Sequence, residues 1–558
     1  MCRFKYQLRW LHSLLLISLF VPTAGFSQVI QTSAGMIQGT QEGTIAIYKG
    51  IPFASPPVGD SRWRTPQPVE PWSGILQATS FAPACPQLGS YPKDAPAEAT
   101  SEDCLYLNRW KPVTEDDEPL PVMLWIHGGS LRNGSASIPL YAGDQLAAKG
   151  VIVVTANYRL GVLGFLSHPE LSEESEQQSS GNYGLLDQIA ALNWIQQNIA
   201  AFGGDPNNVT VFGQSSGAIS ISALTASPLA KGLFHRAIGQ SGGLFEPMEI
   251  MGNLKLEGAE QAGQRFVERA GAGSIEELRN KPFSELLNVP FSANIIVDGY
   301  VLPQTPYDAY MRNQHNPVPV LVGYTADEGQ EFLEDRTVTA ANFTEELERH
   351  FPSLLVSLTA PVSPATDQEA RSAALAYERD IRFGWSMWAW ARLASRESDA
   401  GAWFYQFTKA TPFPADSPQA GWGAPHGSDM PYVFGHLDNY PWAWTTQDRT
   451  LSSTMISYWT NFAKTGDPNG EGLPEWPAFS ATTPRAMELG EQIAPAVVDT
   501  EGVLRKLDRT YGAARWAYRN IYALSMMSVL VLVALIASSV VFMRKRRARL
   551  YAKNLARR

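Results

Sequence analysis

One stretch constrains this chain more than any other. The apolar run Val209-Thr210-Val211-Phe212 is followed by Gly213-Gln214-Ser215-Ser216-Gly217, then by Ala218-Ile219-Ser220-Ile221-Ser222-Ala223-Leu224. The first run predicts a strand and the last a helix. A G-x-S-x-G pentapeptide between them makes a nucleophile elbow: a sharp turn exposes the serine hydroxyl, and small flanking residues let strand and helix pack closely. A serine held this way attacks carbonyl carbon, so Ser215 points to acyl transfer, most simply ester hydrolysis. Glycine and serine are common in surface turns, so the motif carries weight only if the chain also supplies a base, an acid and oxyanion donors.

It does. Pro121-Val122-Met123-Leu124-Trp125-Ile126 reads as a buried strand running into His127-Gly128-Gly129-Ser130. Glycines after a strand let backbone N–H groups face a ligand, and a tetrahedral intermediate needs such donors for its oxyanion. The expected donors are the N–H groups of Gly129, Ser130 and Ser216. Among the eight histidines, His426 is the candidate base. It lies in the glycine-rich loop Gly423-Ala424-Pro425-His426-Gly427, whereas His168, His235, His315, His350 and His436 read as surface or capping residues. In the elbow class the acid falls between serine and histidine. Asp327 and Glu328 follow the strand-like run 318–323, and the residues alone do not choose between them.

The ends of the chain speak to location. Arg3, Lys5 and Arg9 precede a short apolar run and then Ala24, Gly25 and Ser27, a pattern that predicts a secretory signal over 1–27. Residues 521–543 carry no charge. As a helix they would be roughly 34 Å long, enough for a ~30 Å hydrocarbon core. A basic tail at 544–558 follows, expected to stay cytoplasmic. The reading is a single-pass membrane protein with a catalytic domain over 28–505 outside the cytoplasm, a juxtamembrane segment at 506–520 and a span at 521–543. Cys85 and Cys104 are then expected to pair. The net charge of −10 excludes a nucleic-acid-binding surface as the main theme.

These features together resemble the type-B carboxylesterases, the α/β-hydrolase family that includes cholinesterases and the non-catalytic neuroligin-like adhesion proteins. Phe202-Gly203-Gly204-Asp205-Pro206-Asn207-Asn208 leading into the elbow is similar to the family's serine signature, and Glu102-Asp103-Cys104-Leu105-Tyr106-Leu107-Asn108 to its second signature. The resemblance covers roughly residues 28–500. It implies an α/β-hydrolase fold, with a mostly parallel central sheet, a small N-terminal sheet over 28–80 and helical regions at 250–420 roofing the site. It selects Glu328 as the acid, supports Ser215 and His426, and implies the Cys85–Cys104 disulfide. It also implies the ion pairs Arg62–Glu102 and Arg159–Asp187, and a second serine, Ser241, close to the catalytic group.

Departures from the family pattern are informative. Ser130 replaces a glycine in the donor loop, so its N–H serves only if the backbone conformation is open to a residue with a Cβ. Gln214 replaces the usual glutamate before the nucleophile and removes a carboxylate; with no Trp in the 85–104 loop, this argues against choline esters. Arg109 stands where an apolar residue is expected, and the sequence offers no reason. Ile381, Trp385, Trp388 and Arg392 share one helical face that either lines an acyl pocket or packs the core. The expected activity is carboxylic ester hydrolysis on a small-molecule substrate without metal or organic cofactor. The alternatives are a neuroligin-like binding protein, or acyl transfer, thioester or amide hydrolysis by the same triad.

Overall fold

The computed structural model describes residues 25–89, 99–114, 118–248, 254–362, 364–396, 401–498 and 502–521, with positions 523, 526, 535, 538–547 and 549 beyond. The strands are β1 (Gly25–Gln31), β2 (Met36–Glu42), β3 (Ile45–Pro52), β4 (Ile75–Gln77), β5 (Tyr106–Pro112), β6 (Leu120–Ile126), β7 (Ile152–Ala156), β8 (Gly204–Gln214), β9 (Arg236–Gln240), β10 (Val320–Thr325), β11 (Ala402–Phe407), β12 (Arg485–Leu489) and β13 (Ile493–Val497). They form one sheet in the order β1-β2-β3-β5-β7-β6-β8-β9-β10-β11-β12-β13, with β4 beside β2. From β7 to β12 every neighbouring pair is parallel. The N-terminal strands do not form a sheet of their own. β3 pairs antiparallel with β5, and β5 with β7, so they extend the central sheet.

Parallel strands covered on both faces read as continuous apolar runs, and β6 obeys this. Val122, Leu124 and Ile126 enter one core, while Met123 and Trp125 enter the other. The helices Tyr183–Asn198 and Ser216–Ala226 bury Leu185, Leu192 and Ile221 on the first face. The helix Thr446–Thr465 buries Met455, Trp459 and Phe462 on the second.

This topology places the site. β6, β8, β9 and β10 lie side by side and end at Ile126, Gln214, Gln240 and Thr325. His127, Ser215 and Ser241 therefore emerge at the carboxyl ends of adjacent parallel strands, with Glu328 three residues past the last, where open α/β sheets bind ligands.

Some expectations meet the structure elsewhere. The face carrying Ile381, Trp385 and Trp388 is buried core: Trp385 packs edge-on against Tyr511 at 4.6 Å. Tyr511 belongs to the helix Val503–Arg519, which also buries Leu504, Leu507 and Arg515. Packed structure thus continues past residue 505 into the segment expected to be juxtamembrane. Arg109 is buried between aromatic rings, 5.2 Å from Tyr48 and 4.8 Å from Phe202, and donates to the Phe202 carbonyl at 3.0 Å. A guanidinium there acts as a flat, ring-stacked filler. Residues 1–24 and most of 521–543 lie outside the described residues. Among the described residues, no helix is long and apolar enough to cross a membrane.

Candidate active site

β8 delivers Gln214 and the chain then turns through Ser215 at φ 55° and ψ −126°, directly ahead of the helix Ser216–Ala226. A positive φ is costly for a residue with a Cβ, and here the surroundings hold it. Ser215 N–H donates to the Gln240 carbonyl at 2.8 Å, and its own carbonyl accepts from Ile219 N–H at 2.9 Å. The flanking glycines answer to the end of β6. A Cβ on Gly217 would stand 2.0 Å from the Ile126 carbonyl oxygen, and one on Gly213 would stand 2.6 Å from it.

The loop after β6 lies against the elbow. A Cβ on Gly128 would fall 3.1 Å from Ser215 Cβ. Gly129 has φ +105°, and Ser130 and Leu131 have φ 57° and 59°. The conformation that Ser130 needs is thus adopted despite its Cβ. Leu131 N–H donates to Ser216 Oγ at 3.1 Å, so the residue after Ser215 ties the loop down. Gln87, inside the Cys85–Cys104 disulfide loop, clasps the same loop through both polar atoms of Gly134. The N–H groups of Gly129, Ser130 and Ser216 donate to no acceptor among the described residues.

His426 Nδ1 lies 2.5 Å from Glu328 Oε2. Glu328 is fully buried and its Oε1 accepts from Thr325 N–H at 2.9 Å, so the carboxylate is fixed and Nδ1–H donates to it. Asp327 does a different job: its N–H donates to the Ala424 carbonyl at 2.9 Å and its Oδ2 accepts from Ala424 N–H at 2.8 Å. The two adjacent carboxylates divide the work, one on the ring and one on the loop that carries it.

The imidazole is covered by Phe383, stacked at 4.6 Å and 22°. Phe383 sits in a π-helical turn, Asp380–Gly384, that widens the helical run at this point. Burial opposes charge on His426. The field and hydrogen bond of Glu328, with further negative potential from Glu331 and Asp429, override it and carry the pKa up to about 9. Asp429 Oδ2 accepts from Gln240 Nε2 and the Tyr405 hydroxyl at 2.9 and 2.7 Å, and burial raises its pKa. His127, by contrast, is held down to about 4 by burial and stacks on Tyr158.

Ser215 Oγ makes no hydrogen bond to His426 among the described contacts. Nε2 is instead met at 3.0 Å by the Gln214 amide Nε2. Gln214 Oε1 is buried without a hydrogen-bond partner among the described residues. Ser241 is also buried, with φ 52° and its N–H on the Gly323 carbonyl at 2.8 Å; its hydroxyl has no partner among the described residues. A Cβ on the next residue, Gly242, would lie 2.2 Å from the Ser215 carbonyl oxygen, which locates Ser241 behind the elbow. Among the described residues no group of three or more His, Cys, Asp or Glu side chains is placed to hold a metal ion.

The implied ion pairs form: Arg62 meets Glu102 at 2.5 and 2.7 Å, and Arg159 meets Asp187 at 2.7 and 2.8 Å. The sequence reading missed Asp327 as a loop clasp, and Gln87, Phe383 and Asp429 entirely. Only Asp429, three residues beyond His426 in the same loop, carried a signal that could have raised it.

Residues 27–506 match the profile of the carboxylesterase family. The chain belongs to that family. This carboxylesterase-family chain is 38% identical over 488 residues to the fumonisin B1 esterase of Sphingopyxis macrogoltabida, covering 83% of this chain and 87% of that protein. It is 36% identical to the para-nitrobenzyl esterase of Bacillus subtilis (strain 168), over 84% and 95% of the two chains. A solved PNB esterase structure superposes with a TM-score of 0.76 at 34% identity, covering 86% of this chain and 99% of its own. The family and these likenesses make the protein a carboxylic ester hydrolase of the α/β-hydrolase fold.

Proposed function

We propose that Ser215 is the nucleophile, His426 the general base and Glu328 its orienting acid, acting through an acyl-enzyme. The observation that carries this is the 2.5 Å contact of Glu328 Oε2 with His426 Nδ1 in a loop beside the Ser215 elbow. With Nδ1–H committed to Glu328, Nε2 of the neutral ring carries the lone pair that takes a proton. Ser215 Oγ attacks the ester carbonyl as its proton passes to Nε2, and the oxyanion is received by the N–H groups of Gly129, Ser130 and Ser216. The imidazolium returns that proton to the leaving alcohol. Water, deprotonated by the same nitrogen, then releases the acid and restores Ser215. Catalytic hydrogen bonds of unliganded sites often tighten only with substrate, so the step requires the Gln214 amide to yield Nε2 when an ester binds. Ser241 and Gln214 position the site and do not react.

The test is covalent. An organophosphate should inactivate the enzyme with a single added mass on the peptide containing Ser215. Inactivation with the label elsewhere, or none, rejects the assignment.

We further propose that residues 1–27 direct export and that 521–543 anchor the catalytic domain outside the cytoplasm, on the charge pattern alone. Release of the full-length chain from membranes by alkaline carbonate would reject the anchor.

A further inference from the structure

A cavity of about 610 Å³ opens directly on the donor loop. Gly129 and Ser130 line it, with Arg132, Val162, Leu286 and Phe291. A second cavity of about 470 Å³ shares Arg132, Pro290 and Phe291 with the first, and adds Arg265 and Arg269 from the helix Leu256–Arg269. The two spaces therefore adjoin across the Pro290–Phe291 wall.

The charge of this lining is one-sided. It holds three arginines and no aspartate or glutamate, in a chain with 54 acidic and 44 basic residues. Arg132, Arg265 and Arg269 are exposed, and none forms an ion pair among the described residues, although most buried or half-buried arginines of this fold are paired. Among the described residues, the one side-chain bond of the three is Arg269 Nε to the Arg265 carbonyl at 3.1 Å. The acidic residues on the same helix are Glu257, Glu260 and Glu268. Glu260 is engaged by Ser172 at 2.6 Å, and the other two line neither cavity. Arginine forks are matched to carboxylates, and unpaired forks beside an apolar wall that begins at Gly129 and Ser130 form a receptor for an anion.

We propose that these cavities bind an anionic group of the substrate, so that the favoured esters carry a carboxylate several atoms from the scissile carbonyl. Phe291, Val162 and Leu286 would hold the apolar spacer, and Arg132, two residues beyond Ser130, would meet the charge first. Arg265 and Arg269 extend the positive field to longer substrates. This rests on the ester-hydrolase reading above and names its substrate class.

The test compares mono-p-nitrophenyl esters of linear dicarboxylic acids with neutral p-nitrophenyl alkanoates of the same length. A second arm puts the carboxylate on the alcohol side, using acetate esters of hydroxy acids against simple alkyl acetates, followed by proton release. The readout is the ratio of kcat/KM for anionic over neutral ester within each protein, so losses of folded enzyme cancel. The ratio should exceed one by about tenfold in one arm, and that arm tells which side of the ester enters the cavity. It should fall towards one in the Arg132→Gln, Arg265→Gln, Arg269→Gln triple variant and in high salt. Lys231→Gln, exposed and outside both cavities, should keep the parent ratio. Ratios at or below one in both arms, or a ratio that the triple variant leaves unchanged, overturn the proposal while leaving ester hydrolysis standing. No turnover of any ester by the parent would reject the hydrolase reading, and this inference with it.

Discussion

The side-chain amide of Gln214 lies 3.0 Å from Nε2 of His426, the nitrogen that a serine hydroxyl must reach. The residue before Ser215 thus occupies the nitrogen of the proposed base. A neutral amide can donate to the neutral ring and, by turning over, present Oε1 to the imidazolium formed in the reaction. A carboxylate can only favour the charged ring. Gln214→Glu should therefore raise the imidazole pKa further. Since the base works only when neutral, kcat/KM at pH 7 should fall and its acid limb should move to higher pH. An acid limb that is unmoved or shifted down would show that the contact does not tune the base.

If His426 is the base, as proposed, its raised pKa should set the pH profile of the parent. With a value of about 9, kcat/KM should climb as pH rises towards 9. Glu328→Gln removes the main source of the shift, so its acid limb should drop by more than a unit while kcat falls about 10²- to 10⁴-fold through loss of tautomer control. The same shift contributes to stability. It is fully present below the unfolded histidine value near 6.5 and is lost as pH rises through about 9. The gap in unfolding midpoint between parent and Glu328→Gln should accordingly narrow between pH 6.5 and 9. A constant gap would place the coupling elsewhere.

Ser130 and Ser216 hold the donor loop by different means. Ser130 sits at φ 57°, where a Cβ costs about 1–2 kcal/mol. Ser130→Gly relieves that strain but frees the unfolded chain, for a net gain of up to about 1 kcal/mol by denaturant unfolding. Ser216→Ala leaves Leu131 N–H without its acceptor, costing about 1 kcal/mol. It should lower kcat more than it raises KM if, as proposed, the Gly129 and Ser130 N–H groups receive the oxyanion. A pure KM effect would contradict that role.

Asp327 fastens the histidine loop through two hydrogen bonds to Ala424. Asp327→Ala removes one acceptor and leaves the N–H of the buried Ala424 unpaired, a loss of about 1–3 kcal/mol. Because His426 lies two residues beyond the clasp, kcat should fall as well, with the pH limb in place. A shifted limb would mean that Asp327 acts on the ring electrically.

Much of this site was legible because local chemistry announced it. The elbow, the His-Gly-Gly loop and the strand ends carry glycines whose missing Cβ atoms face the Ile126 carbonyl and Ser215 itself. Those signals are short-range. What stayed hidden depends on contacts distant in sequence: Phe383 reaches His426 across 43 positions from a π-turn that has no pattern in the residues, and Gln87 reaches Gly134 across 47. Arg109 looked anomalous because the sequence shows its charge but not the two rings beside it. The joining of the N-terminal strands to the main sheet was missed for the same reason, since it rests on the pairing of β3 with β5.

The proposed mechanism stands or falls on the hydroxyl of Ser215. The most direct test is kcat for p-nitrophenyl butyrate in purified Ser215→Ala beside the parent at matched folded concentration. A fall of at least about 10³-fold is expected, since in the proposed mechanism the acyl-enzyme forms on this hydroxyl and no other group replaces it. Activity within a few-fold of the parent would contradict the account.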